Sequence, residues 1–214
     1  MRMKTTLLTL ATAFITATGP VTVTGPVAVT GPVTVTGTVT VAAQDQQWQR
    51  TWETAQKQKP ARVTSVERIA PAAEPGIPFT VRGVINDPSG KPAPGVEVFA
   101  YQTDQHGIYA APGAADPWRL KGWAVTDAQG RFEFRTIRPA AYPSNTVPGH
   151  VHLTFKAACC GRQVTEVMFD DDPLVTREMR QREGSELLFG KITKRADGSQ
   201  ETSYTFRLKA RGDF

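Results

Sequence analysis

Histidine and cysteine are scarce in this chain of 214 residues: His106, His150 and His152 are the only histidines, and Cys159 and Cys160 the only cysteines. Two adjacent cysteines exclude a zinc site built from cysteine. As neighbours they are not expected to bridge to each other, because that distorts the peptide between them. One small buried side chain and one near the surface is the expectation, with an intermolecular bridge as the alternative. Apolar runs long enough to span a bilayer are also missing. The run in "MRMKTTLLTLATAFITATG" stops at Gly19, and Pro20, Pro26 and Pro32 beyond it forbid a spanning helix. Acidic residues are absent from positions 1–43, where Arg2 and Lys4 are the only charges, so +3 of the formal net charge of +5 belongs to the remainder. That excess is too small to argue for nucleic acid as a partner.

What is present at the start is a basic tip followed by a Thr- and Ala-rich apolar run, the pattern of a secretory signal. A six-residue repeat, "TGPVTV TGPVAV TGPVTV TGTVTV", follows from Thr18 to Val41. Residues 1–43 are read as a signal plus a low-complexity spacer, with cleavage after Ala17 or Ala43. No Arg-Arg pair precedes the apolar run, which favours general over twin-arginine export. A secreted or periplasmic protein is expected, with any metal loaded outside the cytoplasm.

Residues 44–78 are polar and rich in Gln, Ala and Pro, and read as a linker or lead-in arm, with one short helix near Gln46 to Gln58 that stops before Pro60. From Phe79 to the end, short alternating runs are separated by turn signals: "FTVRGVI" then "NDPSGKPAPG", "VEVFAYQ" then "TDQHG", "KGWAV" then "TDAQG", "RFEFRTI" then "RPAAYP", and "HVHLTFKA". With no helix-length periodic segment between them, these predict an all-β domain over 79–214, an antiparallel sandwich or barrel. The segments "ELLFGKITKR" and "TSYTFRLKA" read as a closing hairpin around Ala196-Asp197-Gly198-Ser199.

On a strand, residues i and i+2 share a face, so His150 and His152 stand side by side while Val151 points away. That geometry suits two ligands on one metal. The residues alone leave open a pair of exposed or hydrogen-bonded histidines. Tyr109 and Tyr142 border strands at turns, where a side chain can reach a shared site. A trivalent cation lowers a tyrosine pKa enough to bind tyrosinate, and two phenolates with two imidazoles favour ferric iron over zinc.

The segment "KGWAVTDAQGRFEFRTIRPAAYPSNTVPGHVHLTF" closely resembles the intradiol ring-cleavage dioxygenases, the family of catechol and protocatechuate dioxygenases. "GVINDPSGKPAPGVEVFAYQTD" upstream resembles the family's opening strands, and "MFDDDPLV" its later Tyr-Phe-x-x-Asp-Pro-Leu segment, so the resemblance covers roughly Phe79 to Val175. It implies an antiparallel two-sheet β-sandwich, Ig- or transthyretin-like, holding non-haem Fe(III) through Tyr109 of Gly107-Ile108-Tyr109, Tyr142 of the Tyr-Pro, and His150 and His152. It implies a small aromatic diol and dioxygen as substrates, with the ring opened between its hydroxyl-bearing carbons. Tyr142 corresponds to the tyrosinate that substrate displaces and that helps take up its protons. Arg135 matches the arginine of the Arg-Thr-Ile strand and would neutralise charge on substrate during catalysis. Glu166 stands where the family has a glutamine toward substrate, Val147 stands where it has an arginine, and the loop from Tyr142 to His150 is shorter. His106 reads as an exposed turn residue, and Trp118 and Trp123 as core or rim, or as walls of the pocket. A homo-oligomer is left open. The competing reading is a non-catalytic transthyretin-like or carboxypeptidase-regulatory-like module, which shares "G-V-x-D-x-x-G-x-P" and "T-D-x-x-G-x-F" but gives no reason for the four ligand positions to occur together.

Overall fold

A computed structural model of the chain describes residues 41–144, 146–181 and 187–210. The signal and repeat expected over 1–43 lie outside the described residues, save for 41–43, which open a helix. Helix α1 (Val41–Gln56) leads into strands β1 (Val66–Arg68), β2 (Pro78–Asn86), β3 (Glu97–Gln102), β4 (Leu120–Val125), β5 (Arg131–Ile137), β6 (His150–Ala157) and β7 (Gly161–Phe169). The short helix α2 (Arg177–Gln181) and strands β8 (Leu187–Gly190), β9 (Thr193–Lys194) and β10 (Gln200–Arg207) complete the order. No helix among the described residues is long and apolar enough to cross a membrane.

The strands form a two-sheet β-sandwich, with order β1-β5-β2-β10-β9 in the first sheet and β4-β3-β6-β7-β8 in the second. Alternation in the sequence sets the two faces. In β2, Phe79, Val81 and Ile85 are buried, while Arg82 and Val84 between them are half-buried and point the other way. Phe132 and Phe134 of β5 join this inner layer, as do Val151, Leu153 and Phe155 of β6. Aromatic edges knit the layers together: Phe79 meets Phe169 at 5.1 Å and Phe155 meets Phe206 at 4.8 Å between ring centres. The sheets are mixed rather than wholly antiparallel as expected, because β1 with β5, β2 with β10, and β7 with β8 pair in parallel.

Three further expectations change. The closing hairpin is shorter than read: β9 pairs with β10 across the Gly198 turn, whereas Leu187–Gly190 leaves for the second sheet as β8. Strand period alone cannot say which sheet a strand joins.

Residues 44–78, expected as an arm, instead pack onto the sandwich. Trp48, Trp52 and Ala55 lie on one face of α1 and cover the outer face of the second sheet, against Phe99, Tyr101, Trp118 and Trp123. The two helix tryptophans stack at 6.4 Å, and the Arg162 guanidinium of β7 lies over both rings, at 5.5 and 4.7 Å. The chain leaves this helix just before Pro60, and β1 then adds an edge strand to the first sheet.

Cys159 and Cys160 are joined to each other by a disulfide. They occupy the tight turn from β6 to β7, where Cys160 N donates to Ala157 O at 3.2 Å. Adjacent side chains that diverge in a strand converge in such a reversal. Cys160 is buried and Cys159 exposed, as expected of the pair.

Gln102, fully buried at the end of β3, ties the strand ends that feed the loops on this side of the sandwich. Its Nε2 donates to Ile137 O at 2.8 Å and to Thr103 O at 3.1 Å, and its Oε1 accepts from Thr136 Oγ1 at 3.0 Å. Gln102→Leu leaves these buried groups without partners and is expected to cost about 2–3 kcal/mol in urea unfolding. A change well under about 1 kcal/mol would show that the clamp carries little of the stability.

Candidate metal centre

Val151 and Leu153 face the core, so strand parity turns His150 and His152 to the outer face of the second sheet. Two loops bring the tyrosines to the same place. Tyr109 lies between β3 and β4, and Tyr142 between β5 and β6. Asp104 shapes the first loop: its carboxylate accepts from His106 N at 2.8 Å and Ile108 N at 3.1 Å. Its carbonyl accepts from Ala140 N at 3.0 Å, which laces the two loops together, as does Thr103 Oγ1 donating to Ala140 O at 2.8 Å. Gly107 makes the approach close enough. Its φ is +76°, and a Cβ there would sit 1.9 Å from Ala141 O. Across the site, Gly149 N donates to the Asp172 carboxylate at 2.9 Å, pinning the chain one residue before His150.

The result is a ring of four donor atoms. Tyr109 Oη lies 2.6 Å from Tyr142 Oη and 2.8 Å from His152 Nε2; Tyr142 Oη lies 3.3 Å from His150 Nε2; and the two Nε2 atoms are 2.9 Å apart. The protons on the histidines follow from their outer partners. His150 Nδ1 is 2.7 Å from Pro148 O, which can only accept, and His152 Nδ1 is 3.2 Å from the Glu166 carboxylate. These outer partners can each take an Nδ1 proton, which leaves both Nε2 atoms turned inward, where a cation between them can bind both. Two hard phenol oxygens complete a donor set that fits ferric iron.

Burial governs the ionisation of these groups. It pushes both tyrosines above the ordinary phenol range, Tyr109 the further, helped by its hydrogen bond to Tyr142. Burial, and then His152, hold His150 below the usual imidazole range, leaving its lone pair free near neutral pH. The hydrogen bond from His152 keeps the Glu166 carboxyl low.

The structure thus brings together Tyr109, Tyr142, His150 and His152. It does not bring Arg135 to them. Phe132 and Phe134 point into the core, so Arg135 emerges on the outer face of the opposite sheet, 54% exposed and bonded to Glu133 at 2.9 Å. Glu166, expected toward substrate, touches the back of His152 instead. His106 is an exposed turn residue. Trp118 and Trp123 belong to the aromatic layer beneath α1, and Trp118 stacks on Tyr101 at 3.8 Å, which stacks on the His152 ring at 4.3 Å. Tyr101 accepts a hydrogen bond from Trp48 Nε1 at 2.9 Å. Sequence reasoning misses Tyr101 and Trp48. The signal for them is a strand, "EVFAYQ", apolar on both faces, which demands a cover on the outer one.

A family model described as dioxygenase matches residues 54–212. Catechol 1,2-dioxygenase 1 of Acinetobacter lwoffii is 27% identical over 117 residues, 46% of this chain and 38% of that protein. The protocatechuate 3,4-dioxygenase beta chain of Burkholderia cepacia is 35% identical over 114 residues, 47% of this chain and 48% of its own length. The chain spans about half or less of these curated relatives. Among solved structures, the dioxygenase domain of a dioxygenase–carbohydrate-binding protein fusion from Streptomyces sp. SirexAA-E has a TM-score of 0.55 at 25% identity, covering 71% of this chain and 92% of that one. Hydroxyquinol 1,2-dioxygenase from Pseudomonas putida DLL-E4 shares the fold, with a TM-score of 0.56 at 23% identity over 72% of this chain and 62% of that one.

All four tyrosines of the chain, Tyr101, Tyr109, Tyr142 and Tyr204, are held above their ordinary value of 10.0, in each case chiefly by burial. A folded-state pKa above the unfolded one means stability that is fully present below about pH 10 and lost as pH rises beyond it. Ultraviolet titration of the metal-free protein is expected to show no tyrosinate until above pH 10, with ionisation and unfolding arriving together. Ionisation of any tyrosine in the ordinary range, with the fold intact, would contradict this.

Proposed function

Because the chain belongs to the intradiol dioxygenase family, we propose that it is a non-haem ferric enzyme that opens a catechol-type ring between its two hydroxyl-bearing carbons with dioxygen. The convergence of four donor atoms across contacts of 2.6 to 3.3 Å carries this reading. Tyr109, Tyr142, His150 and His152 would hold the iron. Ferric iron bound there supplies a template and a Lewis acid for the diol and dioxygen.

The side chains divide the remaining work. Tyr109 is the fixed oxygen donor: its hydroxyl has two close partners, its carbonyl accepts from Arg119 N at 3.1 Å, and Arg119 is itself anchored to Glu74 at 2.7 and 2.8 Å. Tyr142 is the looser one. It stands beside the exposed Pro143 and Ser144, and its longer contact is the 3.3 Å to His150. It is therefore the oxygen placed to leave the ring of donors and take a proton from a substrate hydroxyl. The non-catalytic module is not favoured, since it leaves the convergence of the four donors unexplained.

Iron-loaded protein is expected to be coloured by tyrosinate-to-ferric charge transfer, and colourless protein at full ferric occupancy would defeat the ligand assignment. Tyr142→Phe should retain iron yet slow dioxygen uptake with catechol by about 10²–10⁴-fold through loss of the proton acceptor. His152→Ala should lose the metal with the fold intact. Unchanged iron content and uptake in His152→Ala would remove the enzyme reading.

Export belongs to the same proposal, resting on the basic tip and apolar run before Gly19. Mass spectrometry of protein from its native host is expected to find a chain beginning after Ala17 or Ala43 outside the cytoplasm. An intact Met1 in the cytosol would overturn that.

A further inference from the structure

The two histidines of the site are not equivalent, and the difference lies behind the rings. His150 gives its Nδ1 proton to Pro148 O, a neutral carbonyl, at 2.7 Å. His152 gives its own to Glu166, a carboxylate, at 3.2 Å. We infer that Glu166 is a positioning residue that completes a carboxylate–histidine–metal relay and makes His152 the stronger of the two imidazole donors, an inference that rests on the ferric reading of the site.

The pairing is built into the sheet. His152 and Glu166 stand directly opposite each other in the β6–β7 register, and both project from the outer face because Val151 and Val167 fill the core beside them. His152 Nε2 is turned toward Tyr109 and His150, so the carboxylate at Nδ1 lies on the edge of the ring away from the donors. It acts on the site through the imidazole. An acceptor there does two separable things: it fixes which nitrogen carries the proton and how the ring is turned, and, if it is anionic, it pushes electron density toward Nε2. The ring plane is already held by the stack of Tyr101 at 4.3 Å. The part peculiar to Glu166 is therefore the charge. No arginine or lysine among the described residues pairs with Glu166 to dilute it.

Two substitutions separate these effects. Glu166→Gln keeps an acceptor oxygen and removes the charge, while Glu166→Ala removes both, from a half-exposed position where neither should disturb packing. Competition with a ferric chelator is expected to show affinity weakened by about 10–100-fold in Glu166→Ala, and by less in Glu166→Gln. The charge-transfer band should move to longer wavelength in both, since a poorer imidazole donor leaves the ferric ion a stronger acceptor for tyrosinate. In the metal-free protein, nitrogen NMR should place the His152 proton on Nδ1 in the wild type and in Glu166→Gln, and find mixed tautomers in Glu166→Ala. Equal affinity and an unmoved band in all three proteins would overturn the relay while leaving the ferric site standing. A wild type that takes up no ferric iron would instead overturn the function on which it rests. Mixed His152 tautomers in the metal-free wild type would overturn the relay directly. Should Glu166→Ala fail to fold, the affinity and band of the nearly isosteric Glu166→Gln decide the matter.

Discussion

Two imidazole Nε2 atoms held 2.9 Å apart are the constraint on which this molecule is organised. Left to themselves the rings would turn away or one would take up a second proton. Burial disfavours that second proton on His150, and the surroundings keep the rings from turning. His150 is held by the Pro148 carbonyl and by the chain pinned at Gly149, and His152 is held between the Glu166 carboxylate and the flat face of Tyr101. The tyrosine loops are drawn against this pair by Asp104, Thr103 and the bare backbone of Gly107. A sandwich core of ordinary composition lies beneath, and its task toward the site is to keep β6 still.

Much of this is legible in the sequence, and the reasons are physical. Period-two spacing alone puts His150 and His152 on one face of a strand. Alternating runs and turn residues give the strands and narrow the architecture to a sandwich or a barrel, and resemblance chooses the sandwich. The meeting of Tyr109 and Tyr142 with that pair comes from resemblance, because no local rule brings together side chains on loops 33 residues apart. Arg135 shows the opposite error. Its motif points to the site, while its parity against Phe132 and Phe134 points away, and in the structure the parity prevails.

The segment before β2 departs from its sequence reading for a different reason. Its glutamines and charges outweigh its apolar content, so composition describes an arm. The informative residues are two tryptophans four positions apart, which make a narrow apolar stripe, and the strand "EVFAYQ", whose outer Phe99 and Tyr101 require something to cover them. Taken together they specify a helix docked over the site-bearing sheet. The adjacent cysteines depart from expectation because strand geometry does not apply at a position where the chain reverses.

The parallel ladder between β2 and β10 has a consequence for how the molecule comes to exist. Arg82 and Glu201, ion-paired across it, are separated by 119 positions. β10 is not an edge addition: it lies between β2 and β9, inside the first sheet. That sheet cannot close until nearly everything between those strands has been made, so an emerging chain has no complete domain to settle into. Such non-local pairing slows folding and lengthens the time for which β2 offers an unpaired edge. A polypeptide of this topology remains threadable for most of its synthesis and acquires its rigid form late.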